Sequence, residues 1–368
     1  MVVSAVNLVE GGTLTVLREF VQAACEVLSS EWRIVVFVHD RKLLSSQRPQ
    51  FIEIPAAKRS WLRRMCVEWI EFRGHARRLR PDLWVSLHDI TPRVGSIRQV
   101  VYCHNPMPFY RLRARDIWLE PKLLLFRLFY PLIYRINIRR NYAVVVQQSW
   151  LRDAFRKWVG PDTNIVVSYP VADSRVVGAR RTRVGVGVGQ NGGMTFLYPS
   201  MPRVFKNAEL LCRAAQQLEA GAAWHSQIVL TIDGRENRYA RWLLRNFGTL
   251  KTVRFAGWQN PQQMQALYSE ADCLLFPSLL ETWGLPISEA KRLGIPMMVA
   301  DLPYARETVG RYNRVQFIDV QDAAGLARTL LEFQNRRASF THGEVCDPHP
   351  PFAADWRELL SLLIQGLD

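Results

Sequence analysis

Short, wholly apolar runs alternate along most of this chain with longer stretches in which apolar residues recur every three or four positions. The first kind has the length and the Val, Ile, Leu and Phe content of strands buried on both faces. The second has the period of a helix turning one face to a core. A strand is expected over 2–9, after which Leu14, Leu17, Val21, Ala24 and Leu28 mark one helical face. Further strands are expected over 33–39, 51–54, 83–87, 99–104, 142–147 and 165–169. Parallel strands need long crossover connections, so this order predicts an α/β unit whose mostly parallel sheet is covered on both sides.

The pattern stops over 172–193, where small, basic and Gly residues replace the apolar period, and this stretch is expected to be a linker. It contains a literal G-x-G-x-x-G at Gly187, Gly189 and Gly192. A dinucleotide fingerprint must follow a strand and open a helix, whereas this one precedes a strand, so it is set aside. A second alternating block follows, with strands over 194–198, 227–232, 252–256, 272–276, 296–300 and 315–319. Helices are expected over 207–219, 236–246, 261–269, 285–293, 303–309 and 322–334. The resulting partition is a first domain over 1–171, the linker over 172–193, a second domain over 194–345, and a tail over 346–368. The tail's helix, over 354–364, can pack back on the first domain. Two doubly wound domains facing each other across a cleft would bind ligands where their strand ends meet.

At 368 residues the chain has the length of about two domains, and its 48% apolar and 22% charged composition is that of a folded globular protein. Its net charge is +15, concentrated in the first half, where residues 1–175 hold 27 basic against 15 acidic side chains. Such a half attracts phosphate, whether on a small molecule, a membrane or a nucleic acid. No zinc-finger or RNP-like motif is present, so no nucleic-acid partner is expected. The six cysteines are scattered without C-x-x-C spacing, which suits a reducing compartment and buried thiols. The first residues look like a core strand and not a signal peptide. The most apolar later run, over 123–134, is broken by Arg127 and Pro131 and falls short of the ~20 residues a spanning helix needs.

The densest chemistry lies over 276–290. There a buried strand ends at a turn carrying Glu281, Gly284 permits close backbone approach, and a helix opens near Leu285. Unpaired N–H groups at a helix start suit a phosphate or a sugar hydroxyl against Thr282, Trp283, Gly284 and Leu285. Glu289, farther into that helix, can accept from a diol. Glu10, Gly11, Gly12 and Thr13 form a second strand-to-helix turn, and His104 stands at the end of the strand over 99–104.

Glu281 and Glu289 reproduce an E-x7-E signature, and with Gly257-Trp, the 267–278 stretch and the 294–300 stretch they make the chain resemble the retaining nucleotide-sugar glycosyltransferases of family four, the group 1 transferases. The resemblance covers most of 194–335 and implies the GT-B fold, two Rossmann-like domains. It further implies that Glu281 contacts the donor sugar, that Glu289 holds the nucleotide ribose, and that the backbone from Thr282 to Leu285 meets sugar and diphosphate. Family members use an Arg and a Lys, spaced G-R-x4-K, to neutralise the leaving diphosphate. Lys206 matches the Lys, Met201 stands at the Arg position, and Arg203 is the available substitute. Gly11 and Gly12 resemble the family's glycine loop, and His104 its cleft-facing histidine.

No D-x-D occurs, so neither a metal nor another cofactor is expected, and the leaving group's charge falls to Lys206, Arg203 and helix N–H groups. The function implied is transfer of a hexose, with retention, from GDP-mannose or a UDP-hexose to a saccharide or lipid-linked saccharide in surface polysaccharide synthesis. A non-catalytic partner subunit that binds nucleotide sugar is the alternative. Basic residues clustered with large apolar ones over 58–65, 73–80, 111–118 and 123–140 suit an anionic membrane surface. A cytoplasmic enzyme, peripheral on the inner membrane, is the expected setting.

Overall fold

The computed structural model describes residues 1–170, 193–221, 223–341, 343 and 348–367. The chain divides into two compact units. The linker expected over 172–193, with Gly187, Gly189 and Gly192, lies outside the described residues but for Gly193.

The first unit is built on strands β1 (Val2–Ser4), β2 (Val35–Val38), β3 (Gln50–Glu53), β4 (Leu83–Ser86), β5 (Arg98–Cys103), β6 (Ala143–Val146) and β7 (Ile165–Ser168). The second contains β8 (Thr195–Tyr198), β9 (Gln227–Leu230), β10 (Val253–Phe255), β11 (Cys273–Phe276), β12 (Met297–Ala300) and β13 (Val315–Ile318). A two-residue strand, β14 (Phe352–Ala353), returns to the first unit and pairs with β7. The sheet orders are β14-β7-β6-β5-β4-β1-β2-β3 and β10-β9-β8-β11-β12-β13, and every pairing within them is parallel.

The apolar runs are continuous because both faces of each sheet are covered. Alternate residues of a strand point to opposite sides, and here Val3, Val36, Val38 and Val85 enter one core cluster while Val2, Val35, Phe37 and Trp84 enter another. Farther along the same sheet, Val101, Val144 and Val167 fill a third cluster. Fully burying each such side chain contributes about 1.5–3 kcal/mol. In β1 the backbone leaves the sheet after Ser4, earlier than the apolar run over 2–9 suggests, because Leu8 N–H turns back to the Ala5 carbonyl (3.1 Å).

The chain crosses between units more often than the sequence suggests. Residues from Pro348 onward belong to the first unit. Their helix Trp356–Ile364 lies against helix Gly11–Val27, with Trp356 edge-on to Phe20 at 5.5 Å. Residues 110–125, expected within the 1–171 domain, belong instead to the second unit. Polar anchors hold them there. Arg115 reaches both carboxylate oxygens of Glu209 (2.8 and 2.9 Å), and the Arg238 guanidinium stacks 3.8 Å from the Trp118 ring centroid. Glu120 accepts from the Val204 N–H (2.7 Å) and from Arg203 Nε (2.6 Å).

Candidate active site

Both strand-to-helix turns sit at carboxyl ends of parallel strands, where doubly wound sheets bind ligands. In the second unit β11 ends at Phe276, the chain turns through 277–284, and helix Leu285–Leu293 begins with Pro286 in its first turn. Gly284 is the residue before the helix and has φ +87°, a left-handed conformation that disfavours any side chain. A Cβ there would stand 3.2 Å from Phe276 and 3.3 Å from Ile287, so the position demands glycine twice over. No side chain caps this helix. Its first N–H groups are thus not taken by Glu281, whose carboxylate instead receives the Lys206 ammonium.

Lys206 is placed by its own backbone. The turn Val204–Lys206 ends at Asn207, which has φ +57° and donates to the carbonyls of Pro277 (3.3 Å) and Val320 (3.0 Å). Tyr198, at the end of β8, donates to the Lys206 carbonyl at 2.6 Å. Leu279 N–H donates to the Phe205 carbonyl at 2.7 Å, joining the two loops. The Lys206 and Glu281 side chains are 20% and 12% exposed, so their attraction is only partly screened.

Three hydroxyls brace the turn and its helix. Tyr304 donates to the Ser278 carbonyl (2.7 Å), the buried Thr308 hydroxyl to the Trp283 carbonyl, and Tyr268 to Glu289. Burial first, then the Glu289 carboxylate, pushes the Tyr268 hydroxyl well above the usual phenol range, so it remains a donor to that carboxylate. Trp283 is itself held by its indole N–H on Ser288 (2.9 Å).

In the first unit, Gly11 has φ +59° and opens helix Gly11–Val27, with Gly12 next. No side chain caps this start, and the local bond is Thr13 Oγ1 to the Glu10 carbonyl (2.8 Å). His104 follows β5. Its Nε2 is 3.6 Å from Asp89 Oδ2, while Asp89 Oδ1 accepts from the His104 N–H (2.7 Å), the Asn105 N–H (3.2 Å) and the Tyr134 hydroxyl (2.8 Å). Nearby, the buried Glu68 lies 3.1 Å from His88 Nδ1, and burial pushes its carboxyl up to about 8.

The structure thus brings Lys206 to Glu281 and sets Thr282, Trp283, Gly284 and Leu285 on one braced turn. Glu289 is fixed by Tyr268. Arg203 is held by Glu120, its Nε 2.6 Å from the carboxylate. Met201, at the usual Arg position, is 62% exposed. Four residues that hold these turns escape motif reading: Glu120, Asn207 and Tyr268 in the second unit, and Asp89 in the first. Only Asp89 carried a signal, as an acidic residue just past a strand end. Among the described residues, no group of three or more His, Cys, Asp or Glu is placed to hold a metal ion.

Comparison with known proteins bears on this site. Residues 192–342 match the family model described as "Glycosyl transferases group 1". A D-inositol 3-phosphate glycosyltransferase of Corynebacterium aurimucosum is 27% identical over 226 residues, covering 57% of this chain and 52% of its own. An O-antigen chain mannosyltransferase B of Escherichia coli is 29% identical over 92 residues, 25% of this chain and 24% of its own. The matches thus span about half the length of the first relative and about a quarter of the second. Among solved structures, Anabaena HepE in complex with UDP-glucose has 14% identity and a TM-score of 0.62, over 100% of this chain and 95% of that one. At that identity the likeness speaks for the fold alone.

Proposed function

Through residues 192–342 the chain belongs to the group 1 glycosyltransferases, in the GT-B fold class, and on that premise we propose that it transfers a hexose, with retention and without a metal, from a nucleotide diphosphate sugar. The acceptor proposed is a saccharide or lipid-linked saccharide at an anionic membrane, on its cytoplasmic face. The observation that carries the reading is the Lys206–Glu281 pair on a braced turn before an uncapped helix start.

Each part has a chemical task. Lys206 and the N–H groups opening helix Leu285–Leu293 meet the negative charge that grows on the diphosphate as it leaves. Glu281 accepts hydroxyls of the transferred sugar, and its ion pair with Lys206 keeps sugar and phosphate contacts in one register. Glu289, its carboxylate oriented by Tyr268, accepts the ribose diol. The bond from the anomeric carbon to the phosphate oxygen breaks, and that to the acceptor oxygen forms on the same face. The acceptor's proton passes to an oxygen of the departing diphosphate, so no protein base is consumed. His104, held by Asp89 at its backbone N–H, is a hydrogen-bond donor to donor phosphate or sugar.

The relatives support this reading by what they are named for, an inositol phosphate and an O-antigen chain, and HepE was solved with UDP-glucose. The engagement of Arg203 by Glu120, with Met201 at the usual Arg position, favours one second reading: a non-catalytic subunit that binds nucleotide sugar. Thermal stabilisation across GDP-, UDP-, dTDP- and ADP-sugars, with Glu289→Ala as control, tests both. Stabilisation by one donor, lost in the variant, with product formed from that donor, is expected. Stabilisation without any hydrolysis or transfer would favour the second reading, and a flat panel would remove both.

A further inference from the structure

The turn that carries Lys206 has no cap of its own. Its first N–H group belongs to Val204, and Arg203, the residue before it, contributes no side-chain cap. The missing acceptor comes from 84 residues upstream, where Glu120 Oε1 takes the Val204 N–H at 2.7 Å. The other oxygen, Oε2, takes Arg203 Nε at 2.6 Å. One carboxylate thus fixes both the start of the Lys206 turn and the guanidinium beside it. The two cations also share a neighbour, the Phe205 ring, whose centroid lies 5.7 Å from Lys206 Nζ and 5.5 Å from the Arg203 guanidinium carbon.

Glu120 is held more firmly than an ordinary surface acid. Its N–H donates to the Asp116 carbonyl (2.7 Å), its carbonyl accepts from the Leu123 N–H (2.9 Å), and Pro121 follows it. Its side chain is 10% exposed. The strap around it is tied down at further points, by Arg115 on Glu209, by Arg238 over Trp118 and by Tyr110, whose ring meets Phe205 at 6.0 Å. Both bonds to Glu120 have a charged acceptor, which makes them the stronger kind.

A carboxylate beside two cations can serve an incoming phosphate or compete with it. The geometry favours service. Oε1 is taken up by a backbone N–H, which has no part in a competition for the cations. Oε2 engages Arg203 at Nε, and Nη1 and Nη2 have no hydrogen-bond partner among the described residues. We infer that Glu120 is a positioning residue for the diphosphate, setting Lys206 through the Val204 N–H and Arg203 through Nε so that both cations meet the terminal phosphate of the leaving group. This deepens the proposed function and rests on it for what those cations meet.

The test compares binding of UDP, GDP, dTDP and ADP with that of their monophosphates by isothermal titration calorimetry. A free diphosphate carries the charge that the leaving group develops, whereas the monophosphate lacks the terminal phosphate altogether. Glu120→Gln keeps length and loses charge, and Glu120→Asp keeps charge and loses reach. Both variants should weaken diphosphate binding about tenfold and leave the monophosphate within about twofold. By Coulomb's law alone, Glu120→Gln would tighten the diphosphate and Glu120→Asp would leave it unchanged. That result overturns the inference by making Glu120 a competitor. Equal losses for the two ligands, or a lower Tm with diphosphate affinity intact, overturn it as well, by leaving Glu120 a structural role only. Should Glu120→Gln not fold, Glu120→Asp decides alone, its charge being intact. Turnover on the same preparations judges the transferase reading separately. A parent that binds a diphosphate and transfers no sugar removes that reading, while the selective loss in the variants still supports this one. A parent that binds no diphosphate overturns both.

Discussion

The two units present the same element at the ends of their parallel strands, a turn into a helix, yet they treat polar groups there in opposite ways. In the second unit they are paired, two as ion pairs, Lys206 with Glu281 and Arg203 with Glu120, and one as a hydrogen bond from Tyr268 to Glu289. In the first unit a buried carboxyl and imidazole lie beside the buried Arg64 guanidinium, whose Nη2 donates to the His88 carbonyl (2.7 Å). Burial pushes Glu68 up to about 8 and lowers His88 well below the usual imidazole range, and Glu68 Oε2 and His88 Nε2 have no hydrogen-bond partner within the protein. The lesson is a division of labour. Paired, partly exposed charges can be redirected onto an anionic substrate at small reorganisation cost, which suits leaving-group stabilisation. Buried groups around one guanidinium are held in place by it and by the cost of burying charge, and cannot be redirected as freely.

Removing Lys206 should break this contrast most severely. In Lys206→Met the charge proposed to meet the departing diphosphate is gone and Glu281 loses its partner. The expectation is a loss of about 10²–10³-fold in kcat, with donor still stabilising the fold. Steady-state kinetics with the donor from the panel would check it, and a kcat within threefold of the parent would take Lys206 out of the chemistry.

The turns also differ in how tightly they are built, and alanine at their glycines compares them. Gly284→Ala must adopt φ +87° with a Cβ against Phe276 and Ile287, and should cost about 2–3 kcal/mol. Gly11→Ala faces φ +59° but meets nothing within 4 Å, and should cost about 1 kcal/mol. Urea denaturation of both variants gives the difference. Equal costs would mean that the braced turn is no more constrained than the open one, despite its hydroxyl anchors.

What could be read from the sequence follows the same division. Strands and helices were legible because each is a local pattern: the apolar runs of β2, β4, β6 and β11 stand out on their own. Glu281, Gly284 and Glu289 were legible because the turn, the glycine and the helix start are adjacent in sequence. The strap over 110–125 was not, since its place depends on Arg115 meeting Glu209 and Glu120 meeting Arg203, pairs 94 and 83 residues apart. Tyr268 and Asn207 act through partners 21 and 70 residues away. The two-residue β14 is too short to carry any period. That Glu120 holds Arg203 is equally invisible, since sequence spacing says nothing about which carboxylate meets a given arginine.

The pH effect, of the same order as the Gly11→Ala cost, isolates the first unit. Glu68 ionises far above the usual carboxylate range when folded, so between that range and about pH 8 the folded chain binds a proton that the unfolded chain has released. Stability therefore falls as pH rises through this window. His88, lowered by burial, has the opposite sign, and its contribution is complete only above about 7.5, where the unfolded imidazole has lost its proton. From pH 6.5 to 8.5 Glu68 contributes a loss of about 1–2 kcal/mol, set against the Met1 ammonium, which burial lowers and which gives the opposite sign. Glu68→Gln, which keeps the shape and cannot ionise, should flatten the decline in Tm across that window. The charged pairs of the second unit would leave a similar slope in parent and variant, and that outcome would mean Glu68 is ionised in the folded chain and the two strand ends are electrostatically alike.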